Sequence, residues 1–242
     1  WRSVFWAVTV IAVMALVLLW RGLRETRPVE QRLHSSVGSA LAGYGLLLRD
    51  RHFLGLVFIG AFGVSSFFAY LANSPFVLME HYGLTPRQYG IAFAVNAASF
   101  IGASQFTARL AARWGLQRVV RFAVTGYAAT MLTLLLLYLL GVDRLDVLIG
   151  MMLVGFGFLG LVVPISSVLA LDAHGKIAGT ASSLMGTLQF LTGALVMALV
   201  GLFVDHSARP MVTGIALCAA VTWVLARLAL TSRPGSPSPV PH

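Results

Sequence analysis

Long apolar runs, separated by short polar and basic segments, make up most of the chain. A run of about 20 apolar residues lets an α-helix cross the hydrocarbon core of a bilayer, which is about 30 Å thick. Seven runs qualify, and they are Ser3–Trp20, Phe53–Met79, Tyr89–Ala108, Val119–Val142, Val147–Leu171, Ile177–Val204 and Met211–Leu230. Each is too long and too uniformly apolar for a strand of a membrane β-barrel. The pattern therefore predicts an all-α, polytopic membrane helix bundle with about seven transmembrane helices.

The connections between these runs predict the domain organisation. Only the connection after the first run is long, and it is rich in arginine. We predict a first transmembrane helix in residues 1–22, a basic linker in residues 23–51, a six-helix block in residues 52–230 and a disordered tail in residues 231–242. Inside the linker, the small and apolar segment Ser36–Leu48 predicts a short helix on the membrane surface.

The charges of the chain fit a membrane protein with a defined orientation. Only 10% of its 242 residues are charged and 58% are hydrophobic, whereas soluble domains carry about 25% charged residues. Of the 17 Lys and Arg residues, 13 fall on one side of the predicted membrane and 4 on the other. Because basic residues stay in the cytoplasm, the C-terminus is predicted to be cytoplasmic. This asymmetry explains the net charge of +9 without a nucleic-acid partner.

Ionisable residues avoid the centres of the predicted spans. All 8 Asp and Glu residues lie in loops or at span ends. Five of the 6 His residues do so as well, and the sixth lies in the tail. A charge at the bilayer centre usually marks an ion or proton pathway, so these spans hold no candidate for a coupling carboxylate. No His or Cys pair has metal-ligand spacing, and no nucleophile has a base at a fitting position. We predict no catalytic residue, no metal and no cofactor, and therefore no enzyme.

Polar residues in the second run predict a wall of a cavity. Pro75 removes a backbone hydrogen-bond donor and indicates a kink. Tyr70 and Asn73 are three residues apart, so they share a helix face, and Phe76 follows the proline. One interpretation is a broken helix that lines a transport site. The other is a proline kink that serves packing alone.

Single amides in two further runs have two interpretations each. Asn96 either lines a cavity or forms a hydrogen bond to another helix, because an amide in hydrocarbon needs a partner. Gln189 either faces a cavity or has a structural role, and it shares a face with Ser182, Gly186 and Gly193. Small residues at every fourth position of the third run predict close helix packing. These residues are Gly90, Ala94, Ala98 and Gly102.

The fifth run contains a glycine pattern that formally matches a dinucleotide-binding motif. Gly155, Gly157 and Gly160 stand in the order G-x-G-x-x-G. That motif requires a preceding strand, an accessible helix start and an acidic residue about 20 positions later. Here it lies inside an apolar span, so it indicates close helix packing instead. Pro164 predicts another kink in the same helix.

Several segments together resemble a known family. Ala72–Leu78, Tyr82–Pro86 and His174–Gln189 resemble the C-terminal half of major facilitator superfamily transporters of the Bcr/CflA drug:proton antiporter type, and Arg24–Thr26 is similar to the end of helix six in that family. The resemblance implies that the spans are helices six to twelve. Residues 1–22 would then be the last helix of an N-terminal half whose other helices are missing from this chain.

The resemblance also implies a function in antibiotic resistance. Hydrophobic or amphipathic drugs would leave the cell by alternating access through a bacterial inner membrane, and protons would enter. The coupling acid would lie in the missing N-terminal half. The substrate would contact Tyr70, Asn73, Phe76, Asn96 and Gln189.

A cytoplasmic loop motif of the superfamily is only partly present. Arg113, Gly115 and Arg118 match its basic and glycine positions. Ala108 and Ala112 replace its first glycine and its aspartate. The departure implies a plain helix turn with basic residues, without the charge relay.

Alternative functions remain open for a helical membrane protein of this kind. Seven passes with an external N-terminus also fit a seven-helix receptor or a retinal protein. A retinal protein needs a buried lysine, and the one lysine of this chain, Lys176, lies in a loop. An intramembrane enzyme would need a buried catalytic group, which the spans lack.

Overall fold

The computed structural model describes residues 2–22, 37–203 and 207–231, and within these ranges the chain forms helices and no strands. The helices are α1 (Arg2–Gly22), α2 (Val37–Leu47), α3 (Arg51–Pro75), α4 (Pro86–Gln105), α5 (Thr107–Trp114), α6 (Leu116–Leu139), α7 (Leu145–Asp172), α8 (Ala178–Leu202) and α9 (Arg209–Thr231). A π-helical turn, Phe76–His81, continues α3, and a 3-10 turn, Gly175–Ile177, precedes α8. The all-α prediction is confirmed.

Most of these helices are long enough to cross a membrane. Six of them qualify by length and apolar composition, and α4 with α5 makes a seventh if that bent pair counts as one span. The polytopic membrane bundle predicted from the sequence is thus confirmed. The first part of the predicted linker, residues 23–36, and the predicted tail after residue 231 lie outside the described residues.

The described residues form two compact units that divide between Ala40 and Leu41. In the first unit, α1 exposes every side chain along its length, including Trp6 and Trp20. Its mostly apolar surface agrees with the hydropathy of the first predicted run. The short helix predicted at Ser36–Leu48 is present as α2, which crosses the division.

In the second unit, α3 and α7 are the central helices. α3 packs against α7, α8 and α9, while α7 packs against α4 and α6. Large apolar side chains fill the space between them, and Phe53, Ile59, Phe156, Leu159 and Ile165 are fully buried. α4 rests mainly on α7, and α8 rests mainly on α3. Each of these two outer helices therefore keeps an exposed face.

A capping residue and a proline determine where α4 begins, and they locate this end more accurately than hydropathy does. Thr85 caps its first turn, because its side chain accepts from the Gln88 amide while the Gln88 side chain accepts from the Thr85 amide. Pro86 occupies the first helical position, where its missing N–H costs nothing. The helix therefore begins at Pro86, not Tyr89, and it ends at Gln105, not Ala108. A 41° bend then leads into α5.

The glycine pattern in α7 serves helix packing, as predicted. A Cβ on Gly160 would lie 2.2 Å from the Phe100 carbonyl oxygen of α4, and one on Gly155 would lie 1.8 Å from Met131 Cε of α6. The small-residue stripe on α4 behaves differently. Nothing lies within 4 Å of a Cβ built on Gly90 or Gly102, so no helix among the described residues packs closely against these two glycines, and packing on the stripe stays a prediction. α4 turns its opposite face toward α7.

Candidate functional site

Tyr70 of α3 and Asn96 of α4 form a buried polar pair. The Asn96 Nδ2 donates to the Tyr70 hydroxyl at 3.2 Å, and each residue is only 2% exposed. The Asn96 Oδ1 is buried and has no hydrogen-bond partner among the described residues. A buried acceptor without a donor costs about 1–3 kcal/mol. The pair therefore presents one unused acceptor in an apolar part of the bundle.

Aromatic rings from three helices pack together on one another and on the Tyr70 ring. Phe93 of α4 stacks on Tyr70 with centroids 5.9 Å apart, and Phe156 of α7 meets the same ring edge-on at 5.2 Å. Phe67 stacks on Phe100 at 6.0 Å and also contacts Phe156 edge-on at the same distance. We call these five rings the aromatic cluster. It is defined as Phe67, Tyr70, Phe93, Phe100 and Phe156.

Most residues of the aromatic cluster have no distinguishing signal in the amino-acid sequence. Phe93 and Phe156 lie in uniformly apolar runs, where an aromatic residue that faces a polar pair looks like any other core residue. A second hydroxyl pair, Ser74 and Tyr89 at 3.3 Å, lies one turn along α3 from Tyr70. Only the relative positions of α3, α4 and α7 bring these groups together.

Two other predicted residues on α3 lie apart from the Tyr70–Asn96 pair. The Asn73 side chain donates to the Ala69 carbonyl of its own helix at 2.8 Å, and the residue is 7% exposed. Phe76 is 54% exposed. Between them, Pro75 ends the α-helical part, and the chain continues in the π-helical turn. The π turn shows where the helical hydrogen-bond pattern changes after the proline.

Gln189 belongs to a second polar group, toward the start of α3. A Cβ on Gly60 would lie 3.0 Å from both Gln189 Nε2 and Ser166 Oγ, so the glycine allows α7 and α8 to place polar groups against α3. Gly60 and Tyr70 are ten residues apart, which is about 15 Å along a helix. Gln189 is therefore separate from the Tyr70–Asn96 pair. α7 remains helical through Pro164, near which Ser166 Oγ donates to the Val163 carbonyl.

The predicted loop motif forms the turn between α5 and α6. Gly115 ends α5 with a φ of +81°, a conformation that favours glycine. The Arg113 guanidinium lies 5.9 Å from the centre of the Trp114 ring. Arg118 is exposed in the first turn of α6. The motif thus shapes a sharp helix–helix turn.

Carboxylates of the described residues lie at helix ends, as predicted. Asp143, in the α6–α7 turn, accepts from the Tyr82 hydroxyl and lies 2.8 Å from His81 Nε2. Burial opposes ionisation of Asp143, but these hydrogen bonds outweigh it and lower its pKa. Burial and the Asp143 charge raise the pKa of Tyr82. At the opposite helix ends, Asp50 lies 3.2 Å from His174.

The amino-acid sequence is similar to a large family of transporters. The family described as Major Facilitator Superfamily matches residues 1–197. An "Uncharacterized MFS-type transporter YdgK" from Bacillus subtilis is 32% identical over 87% of this chain and 52% of the relative. A "Bicyclomycin resistance protein homolog" from Haemophilus influenzae is 29% identical over 96% and 58%. A "Multidrug resistance protein MdtL" from Klebsiella pneumoniae is 32% identical over 93% and 55%. The chain spans about half the length of these relatives.

Proposed function

The chain belongs to the major facilitator superfamily, and we propose that it forms one half of a proton-coupled exporter of hydrophobic or amphipathic small molecules. The fold and the sequence comparisons both support this proposal. The residues fold into an integral, multi-pass helical membrane protein, and two of the similar proteins carry drug-resistance names. This combination favours a transporter over a seven-helix receptor.

The observation that carries the proposal is the unpartnered Asn96 Oδ1 beside the aromatic cluster. Aromatic rings offer apolar surface that accepts ligands of different shapes. An amide oxygen that lacks a donor adds one directional contact for a substrate that carries an N–H or O–H group. In this proposal Tyr70 and Asn96 contact the substrate, and Phe93 and Phe156 form the apolar wall around it.

Gln189 and two prolines have supporting places in the proposal, and Asn73 and Phe76 lie on either side of one of them, Pro75. Gln189 and Ser166 provide a second polar group about 15 Å along α3, at which a substrate would pause on its route. Pro75 and Pro164 interrupt the backbone hydrogen bonds of the two central helices. Broken helices at the centre of a bundle are typical of transport sites. These helices would bend as the cavity opens to alternate sides.

A second helical half would complete the cavity. The exposed faces of α4 and α8, with Ser182, Thr187 and the small stripe of α4, are suited to close contact with other helices. In this proposal the proton-coupling carboxylate belongs to that other half, the C-terminus is cytoplasmic, and Arg113, Gly115 and Arg118 form a cytoplasmic turn. Residues 1–22 act with the other half, and residues 23–51 link it to the block of residues 52–230.

Binding to the purified chain tests the site without requiring transport. We expect a fluorescent amphipathic cation that carries an amine N–H to bind in neutral detergent, and Asn96→Leu to weaken this binding about fivefold to tenfold, because one hydrogen bond contributes about 1 kcal/mol. Asn96→Leu removes the buried acceptor that lacks a partner and also the hydrogen bond to Tyr70; because these two effects have opposite signs, stability should change by less than about 1 kcal/mol. Loss of affinity without loss of stability is the expected signature.

Ser99→Ala is the matched control on the same helix. The Ser99 hydroxyl donates to the Leu153 carbonyl of α7 at 2.7 Å, so its contact is structural. Its removal should lower stability by about 1 kcal/mol and leave the probe affinity unchanged. Equal affinities of wild type and Asn96→Leu would contradict the proposed site.

A further inference from the structure

A basic cavity lies between α6 and α9, away from the Tyr70–Asn96 pair. Its volume is about 260 Å³, and it is lined by Arg121, Val124, Thr125, Trp223, Ala226 and Arg227. Arg121 lies five residues after the start of α6, and Arg227 lies four residues before the end of α9. At about 1.5 Å per residue, Arg121 lies within about 8 Å of the start of α6, and Arg227 lies within about 8 Å of the end of α9. Long arginine side chains at this depth reach the headgroup level of a bilayer.

Contacts within the protein hold both guanidinium groups at the cavity. A terminal nitrogen of Arg121 donates to the Leu230 carbonyl in the last turn of α9. The Arg227 guanidinium lies 4.9 Å from the centre of the Trp223 ring. A guanidinium has five N–H donors, so the Leu230 contact leaves Arg121 able to bind an anion. Both arginines line the same small cavity, so an anion in it can contact two guanidinium groups at once.

The surface beside the cavity is apolar and exposed. Phe122 is 64% exposed, Val224 is 48% exposed and Leu228 is 65% exposed. Trp223 lies one helical turn before Arg227, and its ring contacts the Arg227 guanidinium. Basic groups at the membrane surface, next to exposed apolar side chains at membrane depth, match the two parts of a phospholipid.

We propose that this cavity binds the phosphate of an anionic phospholipid, whose acyl chains lie along Phe122, Val224 and Leu228. Basic pockets between transmembrane helices bind anionic lipid headgroups, and guanidinium groups bind phosphate through paired hydrogen bonds. The site joins the end of α9 to the start of α6, so a bound lipid would brace this helix pair. The proposal is independent of the transported substrate.

Native mass spectrometry of the purified chain in a neutral detergent tests this site. Phosphatidylglycerol is titrated against phosphatidylcholine with the same acyl chains, and the bound lipid is counted per protein. We expect one phosphatidylglycerol to bind in preference to phosphatidylcholine. Arg121→Gln and Arg227→Gln should each weaken this binding about fivefold, since each basic residue near a lipid surface contributes about 1 kcal/mol.

Matched variants separate the cavity from general basic charge. Arg49→Gln removes an exposed arginine that does not line the cavity and should leave lipid binding unchanged. Arg121→Lys keeps the positive charge but not the paired hydrogen bonds, so its binding should lie between that of Arg121→Gln and that of the wild type. The helical content of each variant, measured by circular dichroism, should match that of the wild type.

Three outcomes would overturn the proposal. Equal binding of the two lipids would show that the anionic headgroup is not recognised. An Arg49→Gln loss as large as that of Arg121→Gln would place the effect outside the cavity. If glycerol phosphate binds as tightly as phosphatidylglycerol, the ligand is a soluble phosphate compound and not a lipid.

Discussion

At the scale of single residues, Gly160 determines how closely α4 and α7 approach each other. A Cβ at this position would meet the Phe100 carbonyl oxygen at 2.2 Å and the carbonyl carbon at 3.0 Å. Both atoms belong to the backbone, so no flexible side chain can move aside. The close approach also positions α4 for the contact between Asn96 and Tyr70. A packing residue outside the candidate site thus supports its geometry.

Gly160→Ala should therefore destabilise the protein. We expect a loss of about 2–3 kcal/mol, because a methyl group forced into a packed interface requires a backbone shift, and a melting temperature lower by several degrees. Gly150→Ala is the control in the same helix, where nothing lies within 4 Å of the added Cβ. It should keep or raise the melting temperature, since alanine favours a helix. Equal melting temperatures for the two variants would contradict the close contact.

The residue scale also shows what the sequence can reveal about the site. Tyr70 and Asn96 are visible in the sequence because polar groups are rare in apolar spans. Their contact joins residues 26 positions apart, and no periodicity within one helix predicts it. Phe93 and Phe156 have no sequence signal, because buried aromatic residues are ordinary in a helix core. The polar part of the site is thus predictable, while its apolar wall requires the packing of three helices.

At the scale of helices, hydropathy predicts the spans well and their ends poorly. Thr85, Pro86 and Gln88 begin α4 through a capping box and a proline, which are local signals that a hydropathy average does not weigh. Small residues on one face are also ambiguous. In α7 they pack against α4 and α6, whereas Gly90 and Gly102 on α4 stay open within the described residues. Spacing identifies a face that permits close approach, but not whether a neighbour occupies it.

Asp143, His81 and Tyr82 tie the end of the π-helical turn to the α6–α7 connection. Hydrogen bonds from Tyr82 and His81 lower the pKa of Asp143 below its usual 3.8 despite burial. The carboxylate therefore contributes stability above about pH 4, and this contribution is lost as the pH falls through its lowered pKa. The pKa of Tyr82 is raised above 10.0, so the contribution of Tyr82 is present below about pH 10 and lost at higher pH.

Removal of the carboxylate should consequently flatten the acid side of the stability curve. We expect Asp143→Asn to lower the stability at neutral pH by about 1 kcal/mol, a modest value because the site is partly exposed. The loss should shrink as the pH falls below about 4. Asp172→Asn removes an exposed carboxylate at the other end of α7 and should leave the curve as in the wild type. Thermal melts from about pH 3 to 7 would measure the stability of both variants. Parallel curves for wild type and Asp143→Asn would show that the Asp143 hydrogen bonds do not stabilise the protein.

At the scale of the whole molecule, the second unit is asymmetric in how its helices are covered. α3 and α7 are surrounded, while α4 and α8 each have one main neighbour within the described part of the chain. The two outer helices expose large apolar residues, among them Ile101 on α4 and Phe190 on α8. In a membrane, such faces contact either lipid or other helices. Small residues on α4 favour helices, because they allow backbones to approach.

The exposed stripe on α4 therefore offers a direct test of a second helical half. We expect the chain alone to give no drug resistance in a hypersensitive bacterium, and co-expression with the N-terminal half of a similar resistance protein to restore it. Ala98→Trp should abolish this restoration, because a large ring on the stripe blocks close helix contact, while the melting temperature of the isolated chain stays unchanged. Ala129→Trp, at an exposed position of α6, should still permit resistance. Full resistance with Ala98→Trp would show that the second half does not pack on this stripe, and α8 would become the face to test.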